Sequence, residues 1–357
     1  LHFLPEMALA VFKYTRKELN WAGEMLASPP LLNEYEDAFD EDTFDNALRT
    51  INNWRASHNY PLNTFQVGLR RNAKRVDPNC LVAQRIKRLS SIGAKLRRFK
   101  TMKLHQMQDI GGCRAIVHSV QHVEQLVELY RKSSIKHKLY KKDDYIKEPQ
   151  TTGYRGVHLI YSYYSDKKTT YNDLKIEMQL RSPLQHAWAT AVETVGTFVK
   201  QALKSSQGEA ELLRFFALMC TAIAVRERTP RIPDTPTKKA ALVDEIRHYA
   251  NQLDVARRLH AYGAAMKMLE QPGARNAHYF LLELDPEASD VKITGFRFNE
   301  MELASQRYLE AERSIAGKPG AEAVLVSVDS LESLNRAYPN YFLDTSAFIN
   351  ALNTVLK

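Results

Sequence analysis

The run Asp144-Tyr-Ile-Lys-Glu-Pro-Gln-Thr-Thr-Gly-Tyr-Arg-Gly-Val-His158 is a charged loop that ends in Gly-Tyr-Arg just before an apolar stretch. A second segment, Lys175-Ile-Glu-Met-Gln-Leu-Arg181, follows it. Glu177, Gln179 and Arg181 alternate there with Ile176, Met178 and Leu180, so a strand puts the polar set on one face and the apolar set on the other. An acid, an amide and a guanidinium in register on one sheet face point to a pocket for a charged, phosphorylated substrate.

Around this pair the pattern predicts strands over 109–118, 157–164 and 174–180 and helices over 120–130 and 182–200, with Ser182-Pro183 as a helix start. That order describes a mixed α/β sheet domain flanked by helices. Upstream, helical patterns cover 14–26, 43–58 and 64–73, with Thr15 as an N-cap and Tyr60-Pro61 as a break. Downstream, 209–225 and 240–270 read as long helices separated by the Pro-rich 229–236, and Gln271-Pro-Gly ends the second. A small α+β unit closes the chain, with strands at 279–285, 291–298 and 323–328 and helices at 300–316, 331–337 and 348–356. The expected division is 1–205, a catalytic domain, 206–275, a helical connector, and 276–357, a C-terminal unit.

At 357 residues, 25% charged and 44% hydrophobic, the chain has the length and composition of a soluble protein of about two domains. Its longest largely apolar run, Phe215 to Val225, is eleven residues, too short to span a bilayer. No basic stretch followed by an apolar one opens the sequence, and the three cysteines are widely spaced. These features predict a cytoplasmic protein without disulfides or a cysteine metal knuckle. The net charge of +9 is uneven: residues 276–357 carry −5 and residues 1–275 carry +14. A basic body fits a polyanionic partner, or simply a solubilising surface. The acidic C-terminal part complements it, as an intramolecular regulator would.

Four constellations carry chemistry. In Gln84-Arg-Ile-Lys-Arg-Leu-Ser-Ser-Ile-Gly-Ala-Lys-Leu-Arg-Arg98, Ser90 or Ser91 caps a helix whose N-terminus attracts phosphate, with Arg85 and Lys87 before it and Lys95 one turn in. The same stretch also reads as an ordinary basic amphipathic helix. Asp109 opens a strand, where a carboxylate can hold Mg²⁺, and Arg114 lies on that strand; an acid there is equally a turn residue. In the loop, Tyr154 offers a ring on which a base stacks, and Arg155 and His158 can reach phosphates; the plain alternative is a hairpin with a packing tyrosine. Glu177 is a second metal ligand or a general base, or a solvated strand-face acid.

In this order the four segments resemble the RelA/SpoT synthetase family. Its Arg-x-Lys-x-x-x-Ser-Ile-x-x-Lys-Leu matches Arg85, Lys87, Ser91, Ile92, Lys95 and Leu96, and its Asp-Ile-x-Gly-x-Arg matches Asp109, Ile110, Gly112 and Arg114. Its loop matches Asp144 to His158, and its Glu-x-Gln-x-Arg-[Thr/Ser] matches Glu177 to Ser182, with His186 and Trp188 beyond. The resemblance covers roughly residues 50 to 200.

The resemblance implies pyrophosphate transfer from ATP to a nucleotide 3′-hydroxyl. Arg85 and Arg114 would flank adenine, Lys87 and Lys95 would hold phosphates with Ser91 nearby, and Asp109 and Glu177 would bind Mg²⁺, Glu177 also activating the hydroxyl. Tyr154 would stack on the acceptor base, beside Asp144, Arg155, His158, Gln179 and Arg181. The loop departs from the family at Gln150 and Thr152, where a lysine and an asparagine are usual. That departure shifts the expected acceptor from a free guanosine nucleotide, the substrate of an alarmone synthetase, to the 3′-CCA end of tRNA.

Tyr338-x-x-Tyr341 in the acidic C-terminal unit further resembles CapRel-type fused toxin–antitoxins. Their C-terminal pseudo-zinc-finger, which holds no zinc, silences the enzyme until a phage structural protein, such as a capsid protein, binds it. Tyr338 and Tyr341 would be autoinhibitory; their plain alternative is packing of a short helix. The basic residues Arg70, Arg71, Lys74, Arg75, Arg97 and Arg98 are the expected tRNA backbone path, or a solvated surface. A retired synthetase fold that only binds RNA or protein is the remaining alternative, against which the retained Asp109, Tyr154 and Glu177 argue.

Overall fold

The computed structural model describes residues 10–28, 41–202, 207–257, 259, 267–270, 277–285, 290–315, 321–328, 331–339 and 344–357. Three helices lead in: α1 (Arg16–Ala27), α2 (Glu41–Ser57) and α3 (Asn59–Val76). Thr15 caps α1 in a reciprocal box with Glu18. Pro61 does not break the chain as expected. It lies in the first turn of α3, where a missing N–H removes no intrahelical bond.

The sheet is built from β1 (Leu81–Ile86), β2 (Gly111–Ile116), β3 (Lys138–Asp144), β4 (Val157–Ser162) and β5 (Lys175–Arg181). Helix α4 (Leu89–Arg98) follows β1, α5 (Val120–Arg131) follows β2, and α6 (Pro183–Ala202) follows β5. Two of these strands are additions to the sequence reading. β1 precedes the expected phosphate-binding helix and carries Arg85, and β3 runs into the charged loop at Asp144. Ile176, Met178 and Leu180 are fully buried, as their alternation requires. With Val82, Cys113, Ala115, Val157 and Leu159 they face a core shared with α3 and α5.

Helices α7 (Gln207–Glu227) and α8 (Lys239–Gln252) come next. The helix expected to run to residue 270 stops at Gln252, and Lys267–Glu270 is a strand, β6. Then come β7 (Tyr279–Asp285), β8 (Asp290–Phe296), α9 (Met301–Ser314), β9 (Glu322–Ser327), α10 (Leu331–Ala337) and α11 (Ser346–Leu356). Tyr341 and the Pro272-Gly273 turn lie outside the described residues.

The C-terminal strands do not form a separate sheet. The order β3-β4-β5-β2-β1-β9-β7-β8-β6 makes one nine-stranded sheet. The join is antiparallel, Gln84 opposite Ser327 and Arg85 opposite Val326. It covers the β1 edge, whose unpaired amides would otherwise be exposed. Leu81, Ala83 and Ile116 share a core with β7, β8, β9, Leu334, Ala337 and Tyr338. Among the described residues no helix is long and apolar enough to cross a membrane.

The chain's last helix returns to α6, α7 and α8. Phe348 is fully buried there, its ring 6.2 Å from Phe215 and 5.6 Å from Phe216. Phe348→Ala is expected to cost about 3–5 kcal/mol through the cavity it leaves. A thermal melt should show a clearly lower midpoint, and an unchanged midpoint would remove α11 from the stabilising core.

Candidate active site

Strand register gathers the expected residues. Arg85 lies opposite Gly112, which lies opposite Glu177. One step along, Arg114 lies opposite Gln179, which lies opposite His158. All point to the sheet face away from α3.

One half of the site centres on Asp109, just before β2. Its two oxygens accept from Lys87 Nζ at 2.9 Å and Lys95 Nζ at 3.0 Å. Burial opposes charge on Asp109, but the two ammoniums outweigh it and hold the carboxyl below its ordinary range. Ser91 does not cap α4. The helix begins at Leu89 with Arg88 at the N-cap, and Arg88 makes no side-chain cap bond, so Ser91 lies within the first turn.

The other half is a closed ring of hydrogen bonds. His158 Nδ1 is 2.9 Å from Glu177, and its Nε2 is 2.5 Å from the Tyr154 hydroxyl oxygen. Arg181 donates to that oxygen at 2.7 Å and to Gln179 Oε1 at 3.1 Å, and Gln179 donates to Glu177 at 2.7 Å. The Arg181 guanidinium lies 5.0 Å from the Tyr154 ring centre. Burial opposes charge on His158, but the Tyr154 oxygen and the Glu177 carboxylate prevail and raise it to about 9. Burial likewise opposes ionisation of Tyr154, and the Arg181 and His158 charges lower its pKa below the ordinary phenol.

Other expected residues serve differently. Arg155, expected to reach phosphates, is 2% exposed and bonds inward to Cys220, to the Ile146 carbonyl, and to Thr229 and Pro230 of the α7–α8 linker. Gly153 has φ +94°, and a Cβ there would sit 2.7 Å from the Trp188 ring. These two residues pin the loop to the helices behind it, which explains the glycine and the arginine of Gly-Tyr-Arg without a ligand. The Asp144 carboxylate accepts from the Lys147 amide at 3.2 Å and pairs with Lys142. The basic residues of α3 are not brought to the site, because α3 packs on the opposite sheet face.

The C-terminal unit occupies what remains. Tyr338 is 1% exposed, its ring centre 5.1 Å from the Arg114 guanidinium. Arg114 donates to the Ala337 carbonyl at 3.3 Å, and His186 Nε2 lies 3.2 Å from the Arg336 carbonyl. The cavity left among Arg85, Lys87, Asp109, Arg114, Glu177 and Tyr338 is ≈ 80 Å³. Nucleotide-sized ligands need roughly 300 Å³ or more, so this conformation excludes them. A larger cavity, ≈ 950 Å³, is lined by His186, Asn335, Arg336 and Pro339, but by neither Asp109 nor Glu177. Sequence reasoning missed a charged pair beside the turn that carries Lys87: Arg55 of α2, which donates to the Lys87 carbonyl, and Glu312 of α9, 2.8 Å from Arg55. Neither belongs to a motif, and 257 residues separate them.

Among the described residues no group of three or more His, Cys, Asp or Glu side chains is arranged to hold a metal ion. Residues 84–197 match the family described as "Region found in RelA / SpoT proteins", and over them the chain is homologous to that family. The GTP pyrophosphokinase YjbM of Bacillus subtilis (strain 168) is 32% identical over 113 residues, 30% of this chain and 52% of YjbM. The chain thus spans about half the length of this curated relative. Among solved structures, the small alarmone synthetase 1 of Bacillus subtilis bound to its product pppGpp is 26% identical. It covers 43% of this chain and 82% of its own, at a TM-score of 0.36. The small alarmone synthetase 2 of the same organism is 20% identical, covering 49% and 94%, at a TM-score of 0.41.

The raised pKa of His158 fixes a pH dependence. A group raised from 6.5 to about 9 contributes stability that is complete below pH 6.5 and lost as pH rises through 9. Thermal stability is therefore expected to decline over that window, and the decline should vanish in His158→Gln. A His158 imidazole that titrates near 6.5 by NMR would refute the charged ring.

Proposed function

We propose that this protein is an ATP-dependent pyrophosphokinase of the RelA/SpoT type, that its acceptor is the 3′-hydroxyl of a guanosine nucleotide, and that its own C-terminal unit holds it inactive. One observation carries the reading: Lys87 and Lys95 converge on Asp109 in the cavity that also holds Glu177. Phosphate-binding cations and metal-binding carboxylates meet at a single point.

The chemistry of the donor set fits Mg²⁺, which commonly uses one or two carboxylates together with water and phosphate oxygens. Asp109 and Glu177 would hold it, and it would neutralise charge on the transferred group. Lys87 and Lys95 exchange Asp109 for phosphate oxygens when ATP enters. Arg85 and Arg114 lie on either side of the base once Tyr338 withdraws. Arg181 leaves the Tyr154 ring for the acceptor's phosphates, freeing that ring to stack on the acceptor base. Glu177, held by His158 and Gln179, receives the 3′-hydroxyl proton. A new bond forms from the 3′-oxygen to the β-phosphorus as the bond to the α-phosphate oxygen breaks, and AMP leaves. Positioning and charge stabilisation carry such a reaction.

A second reading keeps the chemistry and changes the acceptor to the 3′ end of tRNA, with a phage structural protein as the trigger. Gln150 and Thr152 in the loop favour it, because they remove the cation and the amide usual beside a free nucleotide. The similarity to GTP pyrophosphokinase YjbM favours the first.

Incubation of Tyr338→Ala protein with [γ-³²P]ATP and either GDP or tRNA separates the two. Label in GDP with AMP as co-product is expected; label in tRNA alone would sink the nucleotide reading. Tyr154→Ala should lower transfer at least tenfold in that background.

The same assay tests the closure. Tyr338→Ala should raise the transfer rate at least tenfold over the parent chain. An equal rate in a folded variant would end the autoinhibitory role of Tyr338.

A further inference from the structure

Glu312 holds a position that no motif marks. Its Oε1 accepts from the Leu89 amide at 3.0 Å and from the Tyr308 hydroxyl at 2.8 Å. Arg55 approaches as a fork, with Nη1 2.8 Å from Oε2 and Nη2 3.2 Å from Oε1. The Arg55 side chain is 3% exposed and Glu312 10%. Arg55 is itself fixed from the N-terminal part of the chain: its Nε donates to the Lys87 carbonyl at 3.0 Å and its Nη1 to Asn52 at 2.7 Å.

These contacts define a seat for an anion. Leu89 is the first residue of α4, and its amide is one of the donors a helix N-terminus leaves without an intrahelical partner. A buried guanidinium fork beside it adds planar, bidentate recognition that suits carboxylate and phosphate alike. The backbone of the seat is the turn that also delivers Lys87 to Asp109. A carboxylate from the regulatory unit therefore fills a site whose donors are those a phosphoryl oxygen needs. When α9 withdraws, Arg55 stays behind, anchored by Lys87 and Asn52, and a buried guanidinium left without an anion is costly.

We propose that Glu312 is an intramolecular stand-in for a donor phosphate: Arg55 and the Leu89 amide bind a polyphosphate oxygen of ATP, and Glu312 fills that seat in the closed form. The inference rests on reading this region as ATP-using. It divides the closure into two locks. Tyr338 covers Arg114 on the base side, and Glu312 covers the turn on the phosphate side. ATP then competes directly with the C-terminal unit for one set of donors.

The two locks are separable by ligand. Calorimetric titration of the full chain with α,β-methylene-ATP and with adenosine should distinguish them. Glu312→Gln is expected to tighten the triphosphate analogue at least tenfold and to leave adenosine within twofold. Glu312→Asp, which keeps the charge on a shorter stem, should fall between on the analogue and leave adenosine unmoved; it covers the case in which the glutamine variant does not fold. Glu322→Gln, which removes an ion pair with Arg88 at the same junction, serves as the control for general loosening. If Glu312→Gln shifts both ligands alike, as Glu322→Gln would by loosening the junction, Glu312 is only a fastener and the proposal fails. If it shifts neither, the seat is not a phosphate site. The selective shift without pyrophosphate transfer to any acceptor would overturn the proposed reaction and leave the seat standing. Transfer without the selective shift would do the reverse.

Discussion

A sheet that gathers this many cations must satisfy them within the chain when no anion is bound. Lys87, Lys95, Arg114 and Arg181 approach one face of one sheet, Arg55 meets the turn after β1 beside α9, and buried charges are tolerated only when paired. The structure resolves this locally. Asp109 takes both lysines, and the Glu177–Gln179–Tyr154 system takes Arg181. Arg55 and Arg114 turn instead to the C-terminal unit, the first to a carboxylate and the second to a carbonyl and an aromatic face. In the proposed reading, docking of the C-terminal unit adds to the charge balance that Glu193 of α6 also supplies to Arg114. The unit need not be large or apolar to be held there.

Its attachment follows the same economy. The β1–β9 pairing is short, two residue pairs, so backbone hydrogen bonds alone do not fix the unit. Side chains above the strands add the core around Leu81, Ala83, Val326 and Leu334, and α11 anchors the far end in the α6–α8 core. Tyr338 lies between these two attachments. Motion that separates α10 from β1 therefore moves the ring off Arg114 while the chain remains tethered through Phe348. Because α7 also supports Gly153 through Cys220, the helices that hold the tether hold the acceptor loop too.

The legible part of the fold was the part with one wet and one dry face. β5 announces itself because Ile176, Met178 and Leu180 are buried while Glu177 and Gln179 line a pocket. β3 does not, because Lys138–Asp144 is an edge strand whose residues are mostly exposed and whose sequence alternates nothing. β1 was hidden by the cationic residues that follow it. The residues that motif order singles out, Arg85, Lys87, Asp109, Arg114 and Glu177, line one cavity, since register on adjacent strands is local information. Arg155 was misread because an arginine beside Gly-Tyr looks the same whether it faces a phosphate or the Ile146 carbonyl. Arg55 and Glu312 were invisible for a different reason. Their pairing spans the chain, and neither residue carries a pattern of its own.

If Tyr338 and Glu312 act as the proposed divided lock, it constrains what can open it. To carry a two-state equilibrium from about 1:99 to 99:1 a ligand needs roughly 5.5 kcal/mol of differential affinity. ATP at about 100 times its open-state Kd contributes roughly 2.7 kcal/mol. A closure of that depth therefore yields only partly to ATP, and the remainder must come from something that prefers the withdrawn C-terminal unit. Such a partner gains most by binding surface that docking conceals, the β1-facing side of α10 and the α9 face around Tyr308 and Glu312. Linkage then makes the two events mutual: a partner that releases Glu312 strengthens ATP binding, and bound ATP strengthens the partner's hold. The competition for one guanidinium would turn a structural ion pair into the coupling between sensor and catalyst.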